Sequence, residues 1–253
     1  MSGKVYFISG ANRGIGYEFA KQLSSISSNT VIATARDPSS SSELQQLSGS
    51  NSNVHAIKLD VSDEKSFEQL DDQLKDIAQN GIDVLISNAG IAQSYKSLLE
   101  TPKEKFINHF NVNAVGPILL VKALYKYLQK SQTKHIAFVS SLAGSINEFI
   151  PFSTSAYGQS KAALNYAVKE FSFELESEGF TVIALHPGVV STDMFNTAFS
   201  YYEENVPAVV EVLKDYETLT SEESAKRQLK TITNLSKEQN GKFYDENGKE
   251  VSY

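Results

Sequence analysis

Six short segments recur along the chain: KVYFIS (4–9), TVIATA (30–35), VHAIKL (54–59), DVLIS (83–87), HIAFVS (135–140) and TVIALH (181–186). Each is apolar and rich in β-branched residues, and a longer amphipathic stretch separates it from the next. A strand that is apolar at nearly every position has both faces buried, which a parallel sheet covered by helices on both sides provides. The alternation therefore predicts a doubly wound α/β fold, with helices over 15–26, 63–78, 102–130, 155–177 and 221–235. A seventh strand is expected in GKFYD (241–245), with ENGK as the turn that follows it. The serine-rich stretch 37–53 falls between two strands and reads as a weak, solvated helix with flexible flanks. A chain of 253 residues can bury about 70–75% of its unfolded surface in one core, so one domain over 1–253 is expected.

Composition removes several function classes. With no cysteine, disulfide frameworks, thiolate catalysis and cysteine metal sites are excluded. The four histidines, His55, His109, His135 and His186, are too scattered to suggest a metal site. A net charge of -7 argues against generic binding to nucleic acid or an anionic membrane. No apolar run approaches the ~20 residues that span a bilayer. No basic and then apolar leader precedes the first strand, so a soluble cytoplasmic protein is expected.

Directly after the first strand, SGANRGIGYEFAKQL places Gly10, Gly14 and Gly16 at the opening of a helix. Glycines there permit a tight turn and let a pyrophosphate approach free N–H groups at the helix N-terminus. A plain strand-to-helix turn is the alternative. At the end of the second strand, where a carboxylate normally meets an adenosine 2′-OH, stand Ala35 and then Arg36. Of the 23 lysines and arginines only three are arginine, and two of these, Arg13 and Arg36, fall where they would flank a ribose 2′-phosphate. The planar guanidinium suits that group, so NADP(H) is expected over NAD(H).

In SAYGQSKAALNYA (155–167), Tyr157 stands one helical turn before Lys161, but YEFAK sets Tyr17 at the same spacing from Lys21. Spacing alone assigns no chemistry. The wider set of motifs does: SGANRGIG (9–16), DV (60–61), NAG (88–90), NVN ending at Asn113, SS (140–141), YGQSK (157–161) and HPGVVST (186–192). In this order they resemble the short-chain dehydrogenase/reductase family along nearly the whole chain. SSLAGSI and the tail NGKFYDENGKEV look most like the C-factor or sniffer-like NADPH-dependent carbonyl reductases.

The resemblance implies a Rossmann-type domain and reversible hydride transfer between NADP(H) and a carbonyl carbon. It implies Tyr157 as proton donor, made more acidic by Lys161, and Ser141 as the group that orients the carbonyl oxygen. Asn113 would anchor a water in a proton relay. Ser140 is the rival of Ser141, and Asn113 as a locally bonded polar group within a helix is the alternative. For the coenzyme, the resemblance implies Gly10, Asn12, Arg13, Gly14, Ile15 and Gly16 around the phosphates, with Arg36 at the 2′-phosphate. Asp60 and Val61 would meet the adenine and Asn88, Ala89 and Gly90 its ribose. Pro187, Gly188, Val190 and Thr192 would border the nicotinamide, together with Tyr157 and Lys161. Asp60 as a cap of the next helix stays open. Two features depart from the family: Ser87 stands where asparagine is usual before NAG, and 16 residues separate Ser141 from Tyr157, a few more than is common. The added length borders the expected pocket, so substrate preference is not inherited.

The long stretch after Thr192 is expected to form a substrate lid at 191–216. Its Phe195, Phe199, Tyr201 and Tyr202, with Phe149, Ile150 and Phe152, suggest an apolar pocket for a bulky small-molecule carbonyl or alcohol. Packing or a dimer contact is the alternative use of these aromatics. The family often forms homodimers or homotetramers through helices at 102–130 and 155–177. A different class of function, an NADP(H)-binding regulatory or scaffold protein with little catalysis, is disfavoured by Ser141, Tyr157 and Lys161 occurring together.

Overall fold

The computed structural model describes residues 3–150 and 152–253. Strands β1 (Val5–Ile8), β2 (Thr30–Ala35), β3 (Val54–Lys58), β4 (Val84–Ser87), β5 (His135–Val139) and β6 (Thr181–Leu185) occupy the six apolar segments. All pair in parallel, in the spatial order β3-β2-β1-β4-β5-β6. The sheet continues through β9 (Phe243–Tyr244), parallel to β6, to β10 (Glu250–Val251), which runs antiparallel as the edge. The seven-stranded expectation is therefore short by β10, which forms because the turn at Asp245–Lys249 folds the chain back. A separate pair joins β7 (Val189–Val190) to β8 (Thr218–Leu219), which the sequence did not signal.

Successive side chains on each strand face opposite cores, as the period of two requires. Tyr6 and Ile8 pack under helix α1 (Gly14–Ser24), α2 (Ser42–Ser50) and α10 (Ser221–Ile232). Phe7 faces the other side, under α6 (Gly116–Lys130) and α7 (Ser155–Glu174). The predicted helix 63–78 is two short ones, α3 (Glu64–Glu68) and α4 (Leu70–Leu74), broken at Gln69. Over 102–130, α5 (Lys103–Phe110) runs into α6 through a π-helical turn at Asn111–Val115. The serine-rich stretch is better anchored than expected: Leu44 and Leu47 of α2 are buried, and Ser41 caps the helix while donating to the Asn12 carbonyl at 3.0 Å. Beyond β7 come α8 (Asp193–Asn205) and α9 (Pro207–Leu213), which pack through Tyr202, Val209 and Val210 as a third, small apolar cluster.

The chain steps outward from β1 to β2 and β3, then returns to place β4 on the other side of β1. A crevice opens at the carboxyl ends of β1 and β4, where such sheets bind ligands.

Candidate active site

The loop from β1 to α1 turns on Gly10 and Gly14, both at positive φ (+69° and +58°). A Cβ on Gly10 would lie 2.9 Å from the Ala89 Cα, and one on Gly16 only 2.1 Å from the Gly10 carbonyl oxygen. Glycine is thus required for the backbone to close against the loop after β4. Ser9 completes the joint, its hydroxyl accepting the N–H groups of Asn88 and Ala89, each at 3.0 Å. The Asn88 amide donates in return to the carbonyls of Ser9 (3.1 Å) and Gly10 (3.0 Å). Asn88 therefore holds the glycine loop in place. Ser9 was missed by sequence reading, since a serine at a strand end carries no signal of its own.

Gly14, by contrast, has open space: the nearest atom to a Cβ there is Thr192 Cγ2, at 3.7 Å. Free N–H groups at the start of α1, a tight backbone and a gap toward Thr192 form a cradle that fits a dinucleotide phosphate. Arg13 precedes Gly14, and Arg36 is exposed at the end of β2. Arg13 Nη1 pairs with the Asp193 carboxylate at 2.7 Å. Asp37, next to Arg36, is occupied locally: Ser39 donates to its carboxylate through hydroxyl and N–H, holding it below the usual carboxylate range.

Asp60 accepts from the N–H and hydroxyl of Ser62 at 2.9 and 2.6 Å, while Asp63 caps α3. Val61 packs on α6, its carbonyl oxygen 2.5 Å from where a Cβ on Gly116 would lie.

The π-helical turn presents Asn113, which is fully buried. Its side chain bonds Ile91 twice, accepting from the N–H and donating to the carbonyl at 2.8 Å each, and donates to the Ser160 hydroxyl at 3.0 Å. Ser160 donates in turn to the Tyr157 carbonyl at 2.7 Å. Asn113 is thus bonded outside its own helix, tying the loop after β4 to α7. A Cβ on Gly90 would sit 3.2 Å from Asn113 Oδ1 and 3.6 Å from Lys161 Nζ, so glycine keeps this corner clear.

Lys161 is only 4% exposed, and its ammonium donates to the Val139 carbonyl at 2.8 Å. Burial without a carboxylate partner pushes its pKa down to about 8. Nζ lies 6.0 Å from the Tyr157 ring centre. The Tyr157 hydroxyl is pushed above its ordinary value by burial, opposed by the nearby Ser141 hydroxyl. In the coenzyme-free protein burial is the largest influence on this phenol, and Lys161 is not among the groups that shift it.

The two serines after β5 separate clearly. Ser140 is buried and donates to the Asn165 side chain of α7 at 2.6 Å, whereas Ser141 accepts from the Ala143 N–H at 3.2 Å and lines the same cavity as Tyr157. That cavity, about 220 Å³, is also bordered by Ile15, Pro187, Gly188, Val190 and Thr192. Ser224 of α10 holds this wall by donating to the Pro187 carbonyl at 2.6 Å, and Thr192 caps α8, accepting from the Phe195 N–H at 3.3 Å. Ile150, Phe152, Phe195, Phe199 and Tyr202 line its apolar end. Phe149 does not, being 75% exposed, and Tyr201 instead packs on Tyr95 with ring centres 5.6 Å apart. Tyr95 and His186 also line the cavity and were not anticipated. Burial pushes His186 down to about 4, so its ring is neutral near pH 7. A wider cleft of about 740 Å³, between Leu142–Glu148 and the segment 240–253, contains neither Tyr157 nor Lys161. Among the described residues no group of acidic and histidine side chains has the geometry of a metal site, and no helix is long and apolar enough to cross a membrane.

Residues 4–203 match the short chain dehydrogenase family, and the chain belongs to it. An uncharacterized oxidoreductase of Schizosaccharomyces pombe is 42% identical over 252 residues, covering 99% of this chain and 98% of that protein. Among solved structures, the carbonyl reductase Sniffer of D. melanogaster superimposes with a TM-score of 0.87 at 26% identity over 100% of both chains. An NADPH-bound carbonyl reductase from chicken fatty liver does so with a TM-score of 0.84 at 29% identity, again over 100% of both chains. The chain is accordingly an oxidoreductase that acts on small molecules.

Proposed function

We infer that the chain is an NADPH-dependent carbonyl reductase that converts ketones or aldehydes to alcohols, reversibly. The observation that carries this reading is the meeting of Ser141, Tyr157 and the 187–192 loop on one largely apolar cavity, with Lys161 buried one turn behind the tyrosine. The glycine loop and the start of α1 would hold the coenzyme's diphosphate, Arg36 and Arg13 its 2′-phosphate, and Val190 and Thr192 its nicotinamide. The NADPH bound to the chicken enzyme supports that choice.

When bound, the nicotinamide supplies a hydride to the carbonyl carbon. Tyr157, kept protonated through neutral pH, gives its proton to the oxygen that becomes the alcohol, so hydride and proton together supply both added hydrogens. Ser141 donates a hydrogen bond to that oxygen and orients it. Lys161, still largely charged at neutral pH, offsets the negative charge left on Tyr157. Asn113 acts through Ser160 and Ile91 to hold α7 in register with the loop after β4.

The aromatic walls favour bulky, apolar carbonyl compounds, and α8 with α9 form a lid over 191–216. The exposed Ile107, Tyr166 and Phe173 on α5 and α7 (58%, 68% and 81%) support a homodimer or homotetramer through these helices. A screen of NADPH consumption across ketones and aldehydes tests the reading. Turnover of bulky apolar carbonyls is expected. Tight NADPH binding with no turnover on any carbonyl rejects a reductase, and activity confined to small charged carbonyls rejects the apolar pocket.

A further inference from the structure

Arg13 and Asp193 join two elements that meet nowhere else by an ion pair among the described residues: the glycine loop and the first turn of α8. Their separation is 2.7 Å, and both side chains are mostly in solvent (65% and 72% exposed). Helix α8 does not need this partner for its own start, because Thr192 already caps it. Asp193 is favourable there through the helix dipole alone. Arg13 immediately precedes Gly14 and Asp193 immediately follows Thr192, whose Cγ2 is 3.7 Å from where a Cβ on Gly14 would lie, so the pair stands beside the cradle assigned above to the coenzyme's diphosphate.

A guanidinium holding a carboxylate has fewer donors to offer a phosphate. The geometry points to Asp193 as a specificity-determining residue: it competes with the coenzyme's 2′-phosphate for Arg13 and so weakens discrimination in favour of NADPH over NADH. This rests on the reading that Arg13 meets the 2′-phosphate. Binding of NADPH exchanges one anionic partner of Arg13 for another and releases the first residue of α8, the helix that carries the pocket aromatics Phe195, Phe199 and Tyr202. NADH shares the diphosphate but lacks the 2′-phosphate, the group assigned to Arg13, and so leaves the pair closed.

The test is equilibrium titration of the purified protein with NADPH and with NADH, for the wild type, Asp193→Asn, Asp193→Ser, Arg13→Ala and the Arg13→Ala/Asp193→Asn double variant. Asp193→Asn and Asp193→Ser are expected to tighten NADPH binding by roughly two- to fivefold, the range of an exposed ion pair, and to leave NADH within error. In the Arg13→Ala background the gain should vanish, because no guanidinium remains to be released. An equal gain for both coenzymes, no gain, or a gain that persists without Arg13 overturns the competition and leaves only general electrostatics. An NADPH-to-NADH affinity ratio unchanged by Arg13→Ala refutes instead the underlying assignment of Arg13 to the phosphate.

Discussion

Two helices of this protein carry the same tyrosine–lysine spacing in opposite surroundings. On α1, Lys21 is exposed and bonded to Glu18 at 3.1 Å, which raises its pKa, while Tyr17 packs on the core beside it. On α7, Lys161 is buried, meets only a carbonyl oxygen and is pushed down to about 8. Spacing places a cation next to a phenol, but burial decides whether that cation can act on it. On the reading proposed above, the helix face turned to the crevice carries the chemistry, and the face turned to solvent is an ordinary charged surface.

Substitution of the two tyrosines should separate the sites most widely. Tyr157→Phe is expected to lower kcat by about 10²–10⁴-fold, the range of a lost general acid, with NADPH affinity within about twofold. Tyr17→Phe should leave kcat within about twofold, so steady-state kinetics beside coenzyme titration reads the contrast.

The lysines should differ next, in stability. In the coenzyme-free protein Lys161 releases its proton at about 8, whereas an unfolded lysine does so at 10.5. Between those values the unfolded chain holds the extra proton, so this group's contribution to stability rises with pH across that window. Lys161→Met should therefore raise unfolding free energy at pH 7, by up to ~3 kcal/mol, and the gain should shrink toward pH 10. Lys21→Met should stay within about 0.5 kcal/mol. Urea unfolding at pH 7 and pH 10 distinguishes them.

Removing the supports of the buried pair should have smaller effects. Asn113→Ala leaves the Ile91 N–H and carbonyl unpaired and should cost about 2–3 kcal/mol, seen as a lower urea midpoint. Ser9→Ala removes the acceptor shared by the Asn88 and Ala89 N–H groups and should cost about 1–2 kcal/mol, with weaker NADPH binding.

The fold was legible because two-sided burial leaves a mark on every parallel strand, and the predicted and observed strands differ by a residue or so at their ends. The short edge β10 and the β7–β8 pair were not legible, since two residues carry no period. Gly10 and Gly16 were readable from their place after β1, and the structure supplies the reason in the approach of Ala89 and of the loop's own backbone. Ser9, Tyr95 and His186 escaped because their roles depend on what lies across the crevice. The Arg13–Asp193 pair joins residues 180 apart in the chain, a contact that no local pattern signals.

The claim that burial, and not spacing, sets apart the α7 pair is met most directly by titrating the lysines themselves, with ¹³C-labelled lysine followed by NMR on the coenzyme-free protein. One resonance should titrate near 8 and disappear in Lys161→Met, while Lys21, raised by its Glu18 partner, titrates above the ordinary lysine value. If Lys161 instead keeps its proton into the ordinary lysine range, the two helices do not differ in the way proposed.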